Sequence, residues 1–342
     1  MVSSKLPRVL IVYNEPVLAK DHPDYASEAD ILETVVEVEK VLPDDRFVTA
    51  KFGYARDPSP FLREVERFKP DAIFNLFEGE ADRTETEIFH AAIVEWTNVP
   101  LTGSPSTAIA LGRDKIRTKY ILQGAEIPSA GFCTIESLPA PAWPHAWPAI
   151  VKPAYQDASV GIDQASVVSS QAELEQRAKW IFDNLGGPAI AEQFLNGREF
   201  HVNLFEESSD RVGENSLRVV PPTELVFEAG PGIWPIYSYE GKWNETSEEY
   251  KKTRLDTGVI LPPPLLEQVA EICLQTYRLM GMRDYGRVDL RVTPDGIPHV
   301  LEVNPNPYLN SIGLIDGLRA LGIGFPEFIQ GLVRRALSRK PK

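Results

Sequence analysis

The chain has 342 residues, 43% of them hydrophobic and 25% charged, a size and balance suited to a soluble protein of two or three domains. Its 49 acidic against 35 basic residues leave a formal charge of -14, which argues against nucleic acid as a partner, because a phosphate backbone needs a basic footprint. The two isolated cysteines, Cys133 and Cys273, give neither metal-site spacing nor a disulfide framework, so a reducing cytoplasm is expected.

The first residues, MVSSKLPRVLIVYN, lack a signal-peptide pattern, and no stretch approaches the roughly 20 apolar residues of a membrane span, so no membrane partner is expected. Val9–Tyr13 reads as a buried strand and Glu28–Leu42 as an amphipathic helix. A strand over Phe47–Phe52, a helix over Pro60–Phe68, a strand over Ala72–Phe77 and a helix over Glu85–Trp96 follow. This alternation predicts a parallel sheet covered by helices. From about Ser106 one helix carries Asp114, Lys115 and Lys119, and a proline-rich connector leads to a strand at Ala149–Lys152. A helix at Gln171–Leu185 and strands at Ala189–Phe194 and Phe200–Leu204 come next. Residues from Pro221 to Pro264 are rich in proline, tryptophan and tyrosine and lack periodicity, which reads as an irregular functional loop. Helix Leu265–Met280 then precedes strands Gly286–Val292 and His299–Val303, joined by the turn Thr293-Pro294-Asp295-Gly296, and helix Phe325–Leu337 closes the chain.

The strongest chemical signal lies on those last two strands. Strand side chains alternate faces, so Arg287 shares a face with Asp289, and Glu302 with Asn304. Pairing the strands gathers hard oxygen ligands beside one cation, a set suited to Mg²⁺ shared with phosphate; alone, the same pattern also fits a polar sheet face with an exposed ion pair. A second signal is the strand that delivers Lys152, followed by Ser159-Val160-Gly161, a short loop whose backbone N–H groups can face a phosphate. Third, Glu192-Gln193 ends a strand before Leu195, and Glu199 follows a few residues later, a place for an adenine edge and ribose hydroxyls or simply surface charge.

Taken in order, Asp114-Lys115, Lys152-Pro153, Ser159-Val160-Gly161, Glu192, Glu199, Lys242, Arg287-Asp289 and Glu302-Asn304 resemble the ATP-grasp superfamily, and within it the D-alanine–D-alanine ligases, over nearly the whole chain. The resemblance implies a mixed α/β ATP-grasp fold divided into an N-terminal α/β substrate domain (1–105), a central subdomain (106–188) and a C-terminal subdomain (189–342) with a lid over about 221–264. It implies ATP, with its phosphates on Lys115, Lys152 and the loop Ser159, Val160 and Gly161, its adenine near Glu192, Gln193 and Leu195, and its ribose on Glu199. Two Mg²⁺ ions, with Mn²⁺ as an alternative, would sit on Asp289, Glu302 and Asn304, the last also touching the nucleotide. Glu28 would bind the ammonium group of the first substrate, Lys242 the γ-phosphate, and Arg287 the transferred phosphoryl group. The family reaction joins two amino-acid-like small molecules through an acyl phosphate, and the family is usually a homodimer.

Three departures bear on the substrate. Ala158 stands where these ligases usually have a serine, and Trp243 where they usually have a tyrosine, so two hydroxyls of a substrate network are absent together. The family's His-Gly-rich segment is replaced by Phe74-Asn75-Leu76-Phe77-Glu78-Gly79. Asn306-Pro307-Tyr308 replaces its Ser-Pro-Gly, with Ser311 as a stand-in for the serine that receives the second carboxylate. The expected function is a D-alanine–D-alanine ligase-like carboxylate–amine ligase; the alternatives are D-alanine–D-alanine ligation itself and an inactive ATP-binding regulator.

Overall fold

A computed structural model describes residues 5–22, 25–43, 45–207, 217–228, 230 and 232–339. Three sheets organise them. The first is parallel, with β1 (Arg8–Asn14) between β2 (Val48–Tyr54) and β3 (Ala72–Leu76). Val9 to Val12 are wholly buried, as a parallel strand covered on both faces requires. On one face Leu10 and Val12 pack with Phe61, Ala91, Val94 and Ile109 of the helices Ser59–Phe68, Thr86–Trp96 and Ser106–Arg113. On the other, Val9 and Ile11 meet Val35 and Val38 of helix Ile31–Val41 and also Ile329 and Val333 of the closing helix Phe325–Ser338. That core continues to Phe205 and Tyr285 on the large sheet, so the beginning and end of the chain share one hydrophobic cluster.

The second sheet is antiparallel and runs in the order β4 (Phe132–Ile135), β7 (Ala189–Gln193), β5 (Ala149–Pro153), β6 (Val167–Val168). Helix Gln171–Leu185 covers it with Leu174, Ala178 and Ile181. Ser170 caps that helix by accepting from the Glu173 N–H, and Gly186 ends it in the left-handed conformation that glycine favours. The third sheet, also antiparallel, has β8 (Arg198–Glu206) flanked by β10 (Thr223–Phe227) and β12 (Tyr285–Val292). Strands β11 (Thr253–Asp256) and β13 (Pro298–Asn304) lie at its two ends, and β9 (Leu217–Val219) pairs with β8. Val288 and Leu290 point into its core, leaving Arg287, Asp289 and Arg291 on the opposite face.

Three departures from the sequence expectations bear on the site. The helix expected over Glu28–Leu42 is two, Tyr25–Ala29 and Ile31–Val41, so Glu28 sits in the short first piece. The helix expected from Ser106 is interrupted at Asp114, whose extended backbone lets its carboxylate accept from the Arg117 N–H and start a new helix, Lys115–Gly124. The Pro221–Pro264 stretch is not irregular throughout. It contains β10, β11 and two short helices, Tyr239–Trp243 and Glu248–Lys251, and the expected loop shrinks to the segment between the two strands.

Candidate active site

Register builds the first part of the site. Strands β12 and β13 pair with Arg287 opposite Asn304 and Asp289 opposite Glu302, and the turn between them closes with Gly296 N–H on the Thr293 carbonyl and Thr293 N–H on the Ile297 carbonyl. Arg287 donates twice to Asp289, at 2.7 and 2.9 Å, and the Asn304 amide donates to the same carboxylate at 3.0 Å. Lys115, the first residue of its helix, reaches Glu302 at 3.0 Å. Burial alone would raise the Glu302 pKa, but Lys115, Lys152 and Arg287 together pull it down. Among the described residues no group of three or more His, Cys, Asp or Glu side chains forms a ready metal cage. Two carboxylates and one amide oxygen on adjacent strands fit instead a hard cation that keeps water and substrate phosphate as its other ligands.

Buried pairing builds the second part. Glu192 on β7 is 1% exposed and lies 2.9 Å from Lys152 on β5 and 3.2 Å from Lys119. Lys119 stands one turn beyond Lys115, so the helix brings both to one face. Burial, then the two lysines beside each other, would disfavour these charges; the lysines hold the Glu192 carboxyl below its ordinary range, while burial depresses Lys119. Three buried charges thus sum to +1, a surplus that suits an anion.

The third part is held by an arginine that sequence reasoning did not select. Arg291 lies opposite Glu199 across β12 and β8 and binds its carboxylate at 2.8–2.9 Å. Its remaining nitrogens donate to the carbonyls of Leu195, at 2.8 Å, and Pro235, and its guanidinium lies 5.2 Å from the Phe194 ring centroid. Glu199 and Leu195 are therefore linked through one residue, and that residue also reaches the loop. Gln193 is on the same strand as Glu192, its N–H on the Gly131 carbonyl.

The fourth part is the contact between two loops. Ala158 and Ser159 have left-handed φ of 53° and 64°, and Gly161 of 71°. Such conformations are costly for non-glycine residues and persist only where surrounding contacts impose them. Those contacts come from the segment between β10 and β11. Ser159 Oγ donates to the Tyr237 carbonyl at 2.8 Å, Tyr239 N–H to the Ile162 carbonyl at 3.0 Å, and Trp243 Nε1–H to the Ala158 carbonyl at 3.0 Å. Val160 N–H turns inward to Asp157.

A cavity of about 850 Å³ lies under this junction, and Glu28, Val160, Gly161, Lys242, Arg287 and Asn304 all line it. Lys242 is pushed below the ordinary lysine range by burial and then by Arg287. Its Nζ sits 5.1 Å from the Trp243 ring centroid and 5.9 Å from that of Tyr237. Glu28 does not present a free carboxylate there. One oxygen accepts from Val17 and Leu18 N–H, each at 2.9 Å, and the other from Ala81 N–H at 3.2 Å. Lys115, Lys152, Glu192 and Glu199 instead belong to the three ion-pair groups described above. Besides Arg291 and Lys119, sequence reasoning did not select Arg113, which pairs with Glu87 at 2.6 Å and Asp157 at 2.7 Å. Nor did it select His201, 3.9 Å from Asp289, whose pKa is lowered mainly by burial. The spacing of Lys115 to Lys119 and of Asp289 to Arg291 are the local signals that could have found two of them.

Comparison with known proteins places this site in context. The profile of the family described as "D-ala D-ala ligase C-terminus" matches residues 140–334. A D-alanine–D-alanine ligase of Desulforudis audaxviator is 30% identical over 72% of this chain and 76% of its own length. One of Acinetobacter baumannii is 25% identical over 90% of this chain and 88% of its own. An uncharacterized protein, y4sG, of Sinorhizobium fredii is 30% identical over 73% and 72%. Among solved structures, a D-alanine–D-alanine ligase of Bacillus anthracis complexed with ATP aligns with a TM-score of 0.74 at 17% identity, covering 97% of each chain. The VanG D-Ala:D-Ser ligase of Enterococcus faecalis aligns with a TM-score of 0.70 at 17% identity, over 97% of this chain and all of its own. At these identities the two structures speak to the fold, which is the mixed α/β ATP-grasp fold.

Proposed function

This chain belongs to the D-alanine–D-alanine ligase family, and from that premise we propose that it is an ATP-dependent carboxylate–amine ligase whose first substrate differs from D-alanine in its surroundings. The observation that carries the reading is the Arg287–Asp289–Asn304 cluster beside the Lys115–Glu302 pair, with Arg287 and Asn304 lining a cavity large enough for two small substrates. A carboxylate does not acylate an amine directly because its leaving group is poor. Phosphorylation by ATP converts it to an acyl phosphate, which the amine attacks with loss of phosphate.

The chain's own residues divide that work. Lys115, Lys152 and Lys119 supply cationic charge for the phosphates, and the loop Ser159-Val160-Gly161 covers them; Glu199, with Arg291 behind it, faces the ribose, and Gln193 and Leu195 the adenine. Asp289, Glu302 and Asn304 are the residues that would hold divalent metal, which supplies charge neutralisation for phosphoryl transfer. Arg287 and Lys242 face the cavity and stabilise charge that grows on the transferred group. The segment between β10 and β11 shields the acyl phosphate from water. In this reading residues 1–105, 106–188 and 189–342 are substrate, central and C-terminal units with the lid inside 221–264, and the working form is a cytoplasmic homodimer. An alternative substrate assignment, D-alanine with D-alanine, requires the two hydroxyls that Ala158 and Trp243 lack. The test is ADP release across pairs of D- and L-amino acids, followed by mass analysis of the product. Absence of ADP release with every pair would remove the ligase assignment.

A further inference from the structure

Charged side chains of both signs line the cavity beneath the lid. Arg287 and Lys242 bring cations to it, and Glu28 and Glu78 bring carboxylates. These two carboxylates are not equivalent. Glu28 already accepts three backbone N–H bonds, which tie Val17 and Leu18 to Ala81, so it works as a clamp between two loops. The Glu78 side chain receives no hydrogen bond and no ion pair from the described residues, and it is exposed to the cavity.

Its backbone, by contrast, is fixed. Glu78 N–H donates to Asn14 Oδ1 at 3.0 Å, and its carbonyl accepts from Arg113 at 3.3 Å. Gly79 then turns the chain with φ +98°, where an added Cβ would stand 2.6 Å from the Thr84 carbonyl oxygen. Only glycine fits that turn, and the turn aims Glu78 inward. The guanidinium nearest to it is already committed. Arg113 pairs with Glu87 through Nε and Nη2, at 2.8 and 2.6 Å, and with Asp157 through Nη1.

We infer that Glu78, rather than Glu28, receives the positively charged group of the first substrate, and that Glu28 shapes the loops around it. The inference rests on the ligase reading above and narrows it. The first substrate is an acid that also carries an ammonium or similar cation, its carboxylate towards Arg287 and its cation against Glu78. The charges facing Glu78 agree with this. Its side chain is open to the cavity, but the protein walls around it displace water and raise its pKa to about 7, and Glu87 of helix Thr86–Trp96 and Asp30 add to the rise. Arg113, at the end of helix Ser106–Arg113, and Lys242 of the lid act in the opposite sense without cancelling it. A carboxylate in this position gains from a ligand cation what no protein group supplies. Cation binding needs the ionised form, so affinity falls as pH drops through 7 and is full above it.

The experiment compares the unmodified protein with Glu78→Gln, Glu78→Asp and Glu28→Gln at saturating ATP and Mg²⁺. Hydroxylamine traps the acyl phosphate formed from each member of a panel of D- and L-amino acids and from its analogue without the amino group, propionate for alanine. Glu78→Gln is expected to raise the half-saturating concentration of the amino acids about tenfold, the scale of one lost charged contact, and to leave those of propionate and ATP unchanged. It should also flatten the pH dependence of amino-acid half-saturation between about pH 6 and 8, a range centred on that carboxyl. Glu78→Asp should fall between the two. Glu28→Gln should lower the melting temperature while keeping the preference for amino acid over propionate. If Glu78→Gln keeps that preference, or Glu28→Gln alone abolishes it, the inference is overturned. If no acid yields hydroxamate with the unmodified protein, the ligase reading itself has failed, which is a separate result.

Discussion

The indole N–H of Trp243 donates to the main-chain carbonyl of Ala158 at 3.0 Å. These are the two positions at which the expected hydroxyls are missing, and the structure joins them by a different bond. Because the acceptor is a backbone oxygen, the side chain at 158 is not needed, and alanine suffices. The bond also helps to hold Ala158 and Ser159 in their left-handed conformations. The two replacements therefore read as one exchange: a side-chain network for a direct link between the segment joining β10 to β11 and the loop at Ala158.

Removing that link should loosen the lid. Trp243→Phe keeps an aromatic ring and deletes the donor, a loss of about 1 kcal/mol or roughly fivefold in the closing equilibrium. Amide exchange at Tyr239, whose N–H bonds the Ile162 carbonyl, should accelerate by that factor without ATP and slow again with it. Ala158→Ser combined with Trp243→Tyr should move activity towards D-alanine more than either change alone, since the two positions are coupled. Exchange rates indifferent to Trp243→Phe would show that the lid is held elsewhere.

Glu302→Gln should abolish ligase turnover with the far-ultraviolet spectrum unchanged. The substitution removes the anionic partner of Lys115 and one of two carboxylates available to divalent metal. Asp289→Asn should behave alike but cost more stability, because Arg287 loses a two-point carboxylate contact. Substantial ADP release by both variants at ordinary Mg²⁺ would sink the metal assignment.

The Arg291–Glu199 pair predicts a strong coupling. Both residues are more than nine-tenths buried, so Arg291→Met leaves an uncompensated carboxylate and should cost about 3–5 kcal/mol in denaturant unfolding. Adding Glu199→Gln should return part of that loss, while ATP binding stays weak if Glu199 serves the ribose. Additive losses in the double variant would show that the two side chains act independently.

The same pair marks where the sequence stops being readable. The cluster on β12 and β13 was legible because strand alternation and a Thr-Pro-Asp-Gly turn are local features, and together they fix which side chains face each other. Arg291 meets Glu199 only through the register of β12 against β8, residues 92 apart, and nothing local encodes that distance. The strands Thr223–Phe227 and Thr253–Asp256 were hidden for a related reason. They are short, lie among prolines at the outer side of the large sheet, and gain their definition from pairing rather than from composition. The free carboxylate of Glu78 was invisible too, since its isolation depends on Arg113 being engaged by Glu87 and Asp157.

Lys242 gives the last prediction, a pH dependence with a definite sign. Burial, followed by the charge of Arg287, depresses its pKa from 10.5, although Glu302 and Asp289 partly oppose the shift. For a lysine so shifted the folded state binds fewer protons than the unfolded one. Charged Lys242 thus opposes folding at low pH, and that opposition is relieved as pH rises through its folded pKa. Activity runs the other way, because only the charged form attracts phosphate. The alkaline limb of kcat/KM for ATP reports the free enzyme and should therefore fall below pH 10.5. Lys242→Arg keeps the charge to higher pH and should move the limb upward, while lowering the rate because a planar fork replaces a point charge. Lys242→Met should remove both the limb and most of the turnover. An alkaline limb unmoved by Lys242→Arg would assign the titration to another group and take Lys242 out of phosphate binding.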